Sequence, residues 1–466
     1  MPSLFGSLGI ARDALSVQQT ALDVTQNNIA NVNTPGYARQ RINLVPGDPV
    51  AQDVYQAGAG VRVASIDAYR VRFLDYRINE ELQRQGEMAA SSSTLQQIEA
   101  IFNESTGTGL QASLTAFFNS FSSLANAPED VTLREQVLAR AEDLAAQFGH
   151  SYEQLQSIQR LQERAIADSV SEINSMATEI AKLNVEVVTA RGSKGNENTL
   201  RDRRQQLIDR LAELTDITYF ETETGSLTVM VRQGAPLVLG DHVNTWEAVQ
   251  SDSGPFLEIH AGDTDITSSI QSGKLGGLLK VRDTNIASYL SALDDLAAAL
   301  ISRINGQHAL GADLDGNPGG DFFVPFTQTV PGSNAGAARS LDLAFSDPRL
   351  IAAADATGGP GSNANARNLA HVKDEPLLSG NSATIDQFYA NLIFRIGRDT
   401  KTAMDGLETE TQLVTQIRNQ QDAVTGVSLD EEAVDIMRYQ RAYQANARII
   451  AVIDDLTGDL LRLLGG

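Results

Sequence analysis

Apolar positions at the start of the chain recur at alternating spacings of three and four. Leu8, Ala11, Leu15, Gln18, Leu22, Thr25, Ile29 and Val32 fall on one stripe, a heptad seam interrupted by two polar residues. The spacing predicts a helix from about Ser7 to Val32, roughly 40 Å long at 1.5 Å per residue. The far end of the chain mirrors it. Ile436, Tyr439, Tyr443, Asn446, Ile450, Ile453, Thr457, Leu460 and Leu464 hold the same spacing behind a Ser428-x-x-Glu431 capping box. That helix exceeds about 50 Å by the same rise, with Gly458 loosening it near its end.

Between the seams the texture changes repeatedly. Residues 46–75 alternate in part and predict short extended segments. Helical spacing follows from about Arg77 to Asn103. It returns through Leu110, Leu114, Phe117, Phe118, Phe121 and Leu124 until Pro128, and again from about Leu133 to Ala190, where Ile166, Ile173, Ile180 and Val187 stand seven apart. A further helix ends at Leu214. Alternation with turns at Gly225, Gly234 and Gly240 then predicts strands from Thr215 to about Ile270. Helix resumes over 272–308 and from Thr384 to about Val424, around a Gly-, Asn-, Ala- and Pro-rich stretch at 310–380 with short strand signals. The predicted class is mainly α with a β-rich insert, in an elongated multidomain chain. Residues 1–45 and 427–466 are expected to pair as a terminal coiled coil. Residues 46–214, 271–309 and 381–426 are expected to form a long-helix bundle, and 215–270 with 310–380 an outer β domain.

The stop of the first helix is chemically defined. Asn33 tolerates the left-handed conformation that closes a helix. Thr34-Pro35-Gly36-Tyr37 reads as a type II turn, with Pro presetting φ and Gly supplying a positive φ. The chain then leaves in extended form through "ARQRINLV".

Composition narrows the function classes. A chain of 466 residues with 42% hydrophobic and 20% charged residues suits two to four folded domains, but 6% aromatics is low for dense cores. A net charge of −23 argues against nucleic acid or an anionic membrane as the main partner. The absence of cysteine excludes disulfides, thiolate metal sites and a cysteine nucleophile. "MPSLFGSLGIARDALSVQQ" lacks a basic start followed by an apolar core, so no cleavable signal is expected. No run of 18 apolar residues predicts a membrane span.

The chemical candidates are weak. Asp313-Leu-Asp315-Gly-Asn317 resembles the start of a calcium loop, but Pro318 and Val324 stand where Gly and a bidentate Glu belong, so a polar turn is expected. None of the five histidines lies three or four residues from another. Gly273-Lys-Leu-Gly276-Gly277 lacks the Gly-Lys-Ser/Thr ending of a phosphate loop. No catalytic group, metal or cofactor is expected. The two terminal stripes are the main signal. An isolated helix of this length is marginal in water and gains stability by burying its stripe on a partner. A subunit whose ends order on assembly follows.

The motifs carry a resemblance. "ANVNTPGY", Ala30 to Tyr37, resembles the flagellar rod, hook and hook-associated proteins, and "EEAVDIMRYQRAYQANARIIAVIDDL" is similar to their partner helix. Within that family "NTLRDRRQQLIDRLAEL" and "SGKLGGLLKVRD" resemble the hook-associated proteins of the hook–filament junction. The resemblance implies terminal helices lining a tubular channel and export through the flagellar apparatus to the outside of the cell without cleavage. Implied partners are copies of the chain, the hook protein, hook-associated protein 3 and an export chaperone on the C-terminal segment. The expected assembly interface comprises Leu8, Leu15, Leu22, Ile29, Asn31, Pro35, Gly36 and Tyr37 with Ile436, Tyr439, Tyr443, Ile450, Ile453 and Leu460. Arg39 and Arg41 are expected to be solvated or to pair between subunits. The rivals are a hook or rod subunit, a flagellum-borne wall hydrolase with convergent acids in 215–380, and a cytoplasmic coiled-coil adaptor.

Overall fold

The computed structural model describes residues 4–34, 36–47, 50–52, 55–57, 60–103, 109–192, 197–231, 234–251 and 254–464. In chain order the elements are α1 (Leu4–Ala30), β1 (Gln40–Pro46), β2 (Val50–Gln52), β3 (Tyr55–Ala57), β4 (Val61–Ala68), α2 (Arg72–Ile101), α3 (Leu110–Leu124), α4 (Val131–Gly192) and α5 (Asn198–Leu214). Strands β5 (Ile217–Glu221), β6 (Leu227–Val231), β7 (Pro236–Leu239), β8 (His242–Val243), β9 (Trp246–Gln250), β10 (Leu257–Ala261) and β11 (Thr264–Asp265) follow. Then come α6 (Gly273–Lys280), a π-helical turn over Val281–Ile286, α7 (Ala287–His308), β12 (Gly311–Ala312), β13 (Ala354–Asp355), α8 (Ala364–His371), α9 (Ile385–Thr425) and α10 (Leu429–Leu464). The chain is mainly α with a β-rich insert. It divides into two compact units, one of residues 1–83, 172–246 and 410–466 and the other of 84–171 and 247–409.

In the first unit α1 packs along α10. The last turn of α1 meets the first turn of α10, so the two run antiparallel. The β1–β4 hairpin lies along another side of α1: Gly60, just before β4, meets Ile10 with a hypothetical Cβ at 3.2 Å. Flanked in this way, α1 buries Ala11, Ala14, Val17, Ala21 and Val24. Their small side chains let both neighbours approach the helix closely. The four-stranded sheet β5-β6-β7-β8 is an antiparallel meander. It is pinned to α4 by Asn184, whose amide donates to Leu227 O at 2.8 Å and Gly240 O at 2.7 Å and accepts from Leu227 N at 3.0 Å.

The second unit has one continuous core drawn from α3, α4, α7, α8, α9 and the coil around Phe322. Phe117, Phe118, Phe121, Phe322 and Phe323 stack edge-on or tilted at 4.9–6.0 Å between ring centroids. Concentrating aromatics here gives a dense core in a chain whose average is low. Helix α6 approaches α2 so closely that a Cβ on Gly277 would lie 2.5 Å from Glu87 O.

Residues 310–380, expected among the strands, instead contribute to this helical core; their ladders are the two-residue pair β12–β13 and isolated bridges. Side chains from the end of α7 hold the coil in place of a sheet. Asn305 donates to Phe323 O (2.8 Å) and accepts from Phe322 N (3.0 Å) and Phe323 N (2.8 Å). The buried His308 ring bonds Gly320 O at 2.7 Å through Nδ1 and accepts from Ala352 N at 2.9 Å through Nε2. Burial lowers its pKa, keeping the ring neutral for this double contact. Likewise β5–β8 and β9–β11 form separate sheets, each held by α4 or its neighbours. A side chain that saturates a backbone group does what a ladder partner would do, without leaving a period-two pattern.

Candidate assembly site

Helix α1 ends at Ala30 through overlapping turn bonds: Asn31 N to Asn27 O (3.1 Å), Asn31 N to Asn28 O (3.2 Å) and Thr34 N to Asn31 O (2.9 Å). The Asn31 amide also donates to Asn27 O at 2.9 Å, and its oxygen accepts from Thr34 Oγ1 at 3.1 Å. Gly36 has φ +76° and Tyr37 N donates to Thr34 O at 3.2 Å, the third-residue conformation and closing bond that a type II turn uses. Pro35 lies outside the described residues. The left-handed residue is Gly36 rather than Asn33, because turn bonds through Asn31 and Thr34 already close the helix.

The centre of the site is a residue that the seam analysis passed over. Asn28 is buried and makes four hydrogen bonds. Its Nδ2 donates to Gln40 O (2.9 Å) and to Glu432 Oε2 (3.1 Å), while its Oδ1 accepts from the Tyr37 hydroxyl (2.8 Å) and Gln40 N (2.9 Å). One amide thus joins the end of α1, the exit of the turn, the first strand and the first turn of α10. Glu432, also buried, completes the clasp by accepting from Arg39 Nε at 2.7 Å, and Glu431 takes Arg39 Nη1 at 2.6 Å. Burial alone would lower the Arg39 pKa, but these two carboxylates outweigh it and raise it. Arg39 therefore pairs within the chain. Glu431 N donates to Ser428 Oγ at 3.5 Å, the weak half of the capping box, while the Glu431 carboxylate serves the arginine.

Helix α5 supports the turn from below. Asp202 accepts from Arg70 Nη2 at 2.5 Å and, more loosely, from Ala38 N at 3.4 Å. Burial raises its pKa against the pull of Arg70. A Cβ on Gly36 would sit 2.9 Å from Gln206 Nε2. Tyr37 is pushed up to about 12 by burial, then by the negative charges of Asp202 and Glu432, so its hydroxyl stays a donor to Asn28. The segment "NTLRDRRQQLIDRLAEL" thereby forms the seat of the turn.

The seam residues divide. Leu8, Leu15, Leu22, Ile29, Asn31 and Tyr37 are half-buried, at the margins of the Ala/Val stripe, and Gly36 is exposed. On α10, Ile453 is buried, and Ile436, Tyr439 and Ile450 are half-buried toward α1; Tyr443 and Leu460 are exposed. The opposite face of α10 carries Val434, Met437, Ile449, Val452 and Leu456, all about half exposed or more. Their spacing of three and four, or its multiples, makes a second apolar stripe that the described residues leave uncovered.

Elsewhere the candidate chemistry resolves into structure. Asp313 Oδ1 accepts from Asp315 N and Asn317 N, each at 2.8 Å, which makes the calcium-like stretch a polar turn. Among the described residues no group of three His, Asp or Glu side chains is placed to hold a metal. Buried Asp294 in the 215–380 stretch accepts from Ala338 N at 2.9 Å.

Comparison with known proteins rests on this geometry. A family model described as the helical domain of flagellar hook-associated protein FlgK matches residues 95–323. Models described as flagella basal body rod protein and flagellar basal body rod FlgEFG protein C-terminal match 8–37 and 422–463, the two halves of the clasp. Flagellar hook-associated protein 1 of Bacillus subtilis is 30% identical over 100% of this chain and 99% of its own length. The chain belongs to the flagellar hook-associated protein 1 family. The family member of Salmonella typhimurium is 25% identical over 97% of this chain and 99% of its own. The flagellar hook junction protein FlgK from Burkholderia pseudomallei shares the fold, with TM-score 0.68 at 18% identity, over 75% of this chain and 100% of that one. These relatives are structural proteins of the flagellum.

Proposed function

We propose that the chain is a non-catalytic structural subunit that joins the flagellar hook to the filament by self-assembly into a tubular layer. The observation that carries this reading is the uncovered apolar stripe of α10 beside a fully clasped α1. A soluble chain that pairs its two ends and still leaves a heptad face bare is built to bury that face on neighbours. Copies of the chain supply the lateral neighbours. The hook protein on the cell side and hook-associated protein 3 on the filament side supply the axial ones. Before assembly the same stripe needs cover, which suits an export chaperone bound to the C-terminal segment during uncleaved export. The α1–α10 pair then faces the channel.

The test is complementation in a strain lacking this protein. Val452→Asp on the bare stripe leaves the α1–α10 pair intact, so the variant folds but is absent from flagella seen by electron microscopy with a specific antibody, and its amount in the culture medium separates lost assembly from lost chaperone-dependent export. Normal junctions built from this variant would refute the assignment. Leu22→Asp, at the margin of the α1 stripe, is expected to block incorporation in the same assay.

A further inference from the structure

One polar cluster inside the first unit takes no part in the clasp. Asp75 on α2 and Asp209 on α5 feel each other's charge where these helices meet β5 and the last turns of α9. Asp75 is buried and accepts from Gln421 Nε2 of α9 at 2.6 Å. Asp209 accepts from Gln205 Nε2 at 2.8 Å, and the same amide reaches the Tyr219 hydroxyl of β5 at 3.4 Å. That hydroxyl also accepts from Asn79 Nδ2 of α2 at 2.9 Å, and its ring lies 4.8 Å from Tyr76. The cations that face the pair are Arg70, Arg72 and, from α9, Arg418. Arg70 is 4.0 Å from Asp75 but makes its closer contact, 2.5 Å, with Asp202. Arg72 is engaged with Glu221 at 3.0 Å, and Arg418 is exposed. Burial, and then Asp75, push Asp209 up to about 6 against Gln205, Arg418 and Arg70. Burial likewise raises Asp75 against Arg70, and raises Tyr219, which stays a neutral phenol.

The cover over this cluster is thin. Across residues 410–425 of α9 the buried apolar side chains are Val414 and Ile417, and most of the others are exposed. Few buried contacts make such a segment the cheapest part of a unit to open. On the α2 face that carries Asp75, Asn79 Oδ1 and Gln83 Oε1 are shielded from solvent and have no hydrogen-bond partner, so entering water finds acceptors to satisfy. We propose that residues 410–425 form a proton-controlled latch, closed over the Asp75–Asp209 pair while the pair holds a proton and open to water once both carboxyls are charged. Water at Asp209 returns it toward the ordinary carboxylate range, so ionisation and opening favour each other. Arg418 pulls the other way, weakly, because its side chain is solvated. Only residues 426–428 separate the latch from α10, so its state sets how firmly α10 is tethered from its upstream end. The latch belongs to the free chain and is independent of assembly.

Hydrogen exchange of the full-length chain is followed by mass spectrometry from about pH 4.5 to about pH 7.5, each rate divided by the intrinsic rate at that pH. The expected result is an opening of 410–425 that grows about tenfold over this range. The opening is local: these amides exchange faster than those of α5 at every pH, and dilute urea, which promotes global unfolding, leaves their rate unchanged. Asp209→Asn keeps the acceptor for Gln205 without the charge and holds the low-pH protection throughout. Asp75→Asn keeps the acceptor for Gln421 and shrinks the change, because it removes the repulsion but not the burial. His242→Gln, at the exposed histidine of this unit, leaves the response as it was. Constant protection of 410–425 across the range, a response that survives Asp209→Asn or is lost in His242→Gln, or exchange at 410–425 that matches α5 in rate and urea dependence would each overturn the proposal.

Discussion

Replacing Asn28 tests the clasp directly. Asn28→Ala removes four hydrogen bonds between 2.8 and 3.1 Å from a buried position. At a net of about 1 kcal/mol each, less what water returns to the half-buried Tyr37 hydroxyl, the loss is about 3 kcal/mol. The loss should be local, read as faster hydrogen exchange at the amides of 428–435 and of β1. Asn28→Asp is the sharper probe. It preserves shape and acceptor capacity but sets a carboxylate where Nδ2 faces Glu432 Oε2 at 3.1 Å. At an effective dielectric of about 20 the like-charge repulsion is about 5 kcal/mol, partly offset by Arg39. Protonating either carboxyl removes it and restores a donor. Asn28→Asp is therefore worse than Asn28→Ala at pH 8 and recovers as pH falls, because protonating one of two facing carboxylates relieves the repulsion. Asn28→Asp with Glu432→Gln loses the pH-dependent part of the penalty, because the glutamine amide donates in the reverse sense, while the lost donor to Gln40 O remains. An Asn28→Ala variant that loosens α10 by less than about 1 kcal/mol, or an Asn28→Asp penalty independent of pH, would show that the amide is not what holds the two ends together.

Three further outcomes are expected. Gly36→Ala costs about 1–2 kcal/mol through its positive φ; Gln206→Ser relieves the clash but not that strain, so thermal unfolding of the double variant stays below wild type. Gly277→Ala, aimed at backbone Glu87 O, destabilises by about 1–3 kcal/mol, whereas Gly306→Ala in open space on α7 stabilises by up to about 1 kcal/mol, which urea midpoints compare. Asp209 is pushed up to about 6 by burial and then by Asp75, against the pull of the Gln205 bond. The folded state thus holds this proton more tightly than the unfolded one, and the associated stability is lost as pH rises from about 4 to about 6. Asn at this position flattens that window and raises stability at pH 7 by up to about 3 kcal/mol, measured by urea unfolding across pH.

The helices were legible because each writes a long stripe at a fixed period. The seam of α1 was legible in part: Ala11 and Thr25 are buried as the stripe predicts, while Leu15, Leu22 and Ile29 are half-buried beside the buried Ala14, Ala21 and Asn28. Leucines were weighted above alanines, yet the helix is flanked by α10 and a hairpin, and only Ala and Val admit both. Asn28 left no trace in a hydrophobic pattern, since its value lies in a bond to a residue 404 positions away. The adjacent pair Glu431-Glu432 opposite Arg39 was visible, but charge pairing between chain ends has no period. The polar turn at Asp313 was read correctly from its short Asx spacing. The coil at 310–380 was not, because Asn305 and His308 organise it from another element.

One consequence follows from the repetitive seam of α1. Ala11, Ala14, Val17, Ala21 and Val24 are nearly interchangeable from turn to turn, like the teeth of a zipper that closes almost as well when displaced by one notch. A displaced closure would strand Glu432 in an apolar setting and leave Arg39 reaching for nothing. The single polar junction near one end therefore acts as the index mark that tells two monotonous helices where to stop sliding.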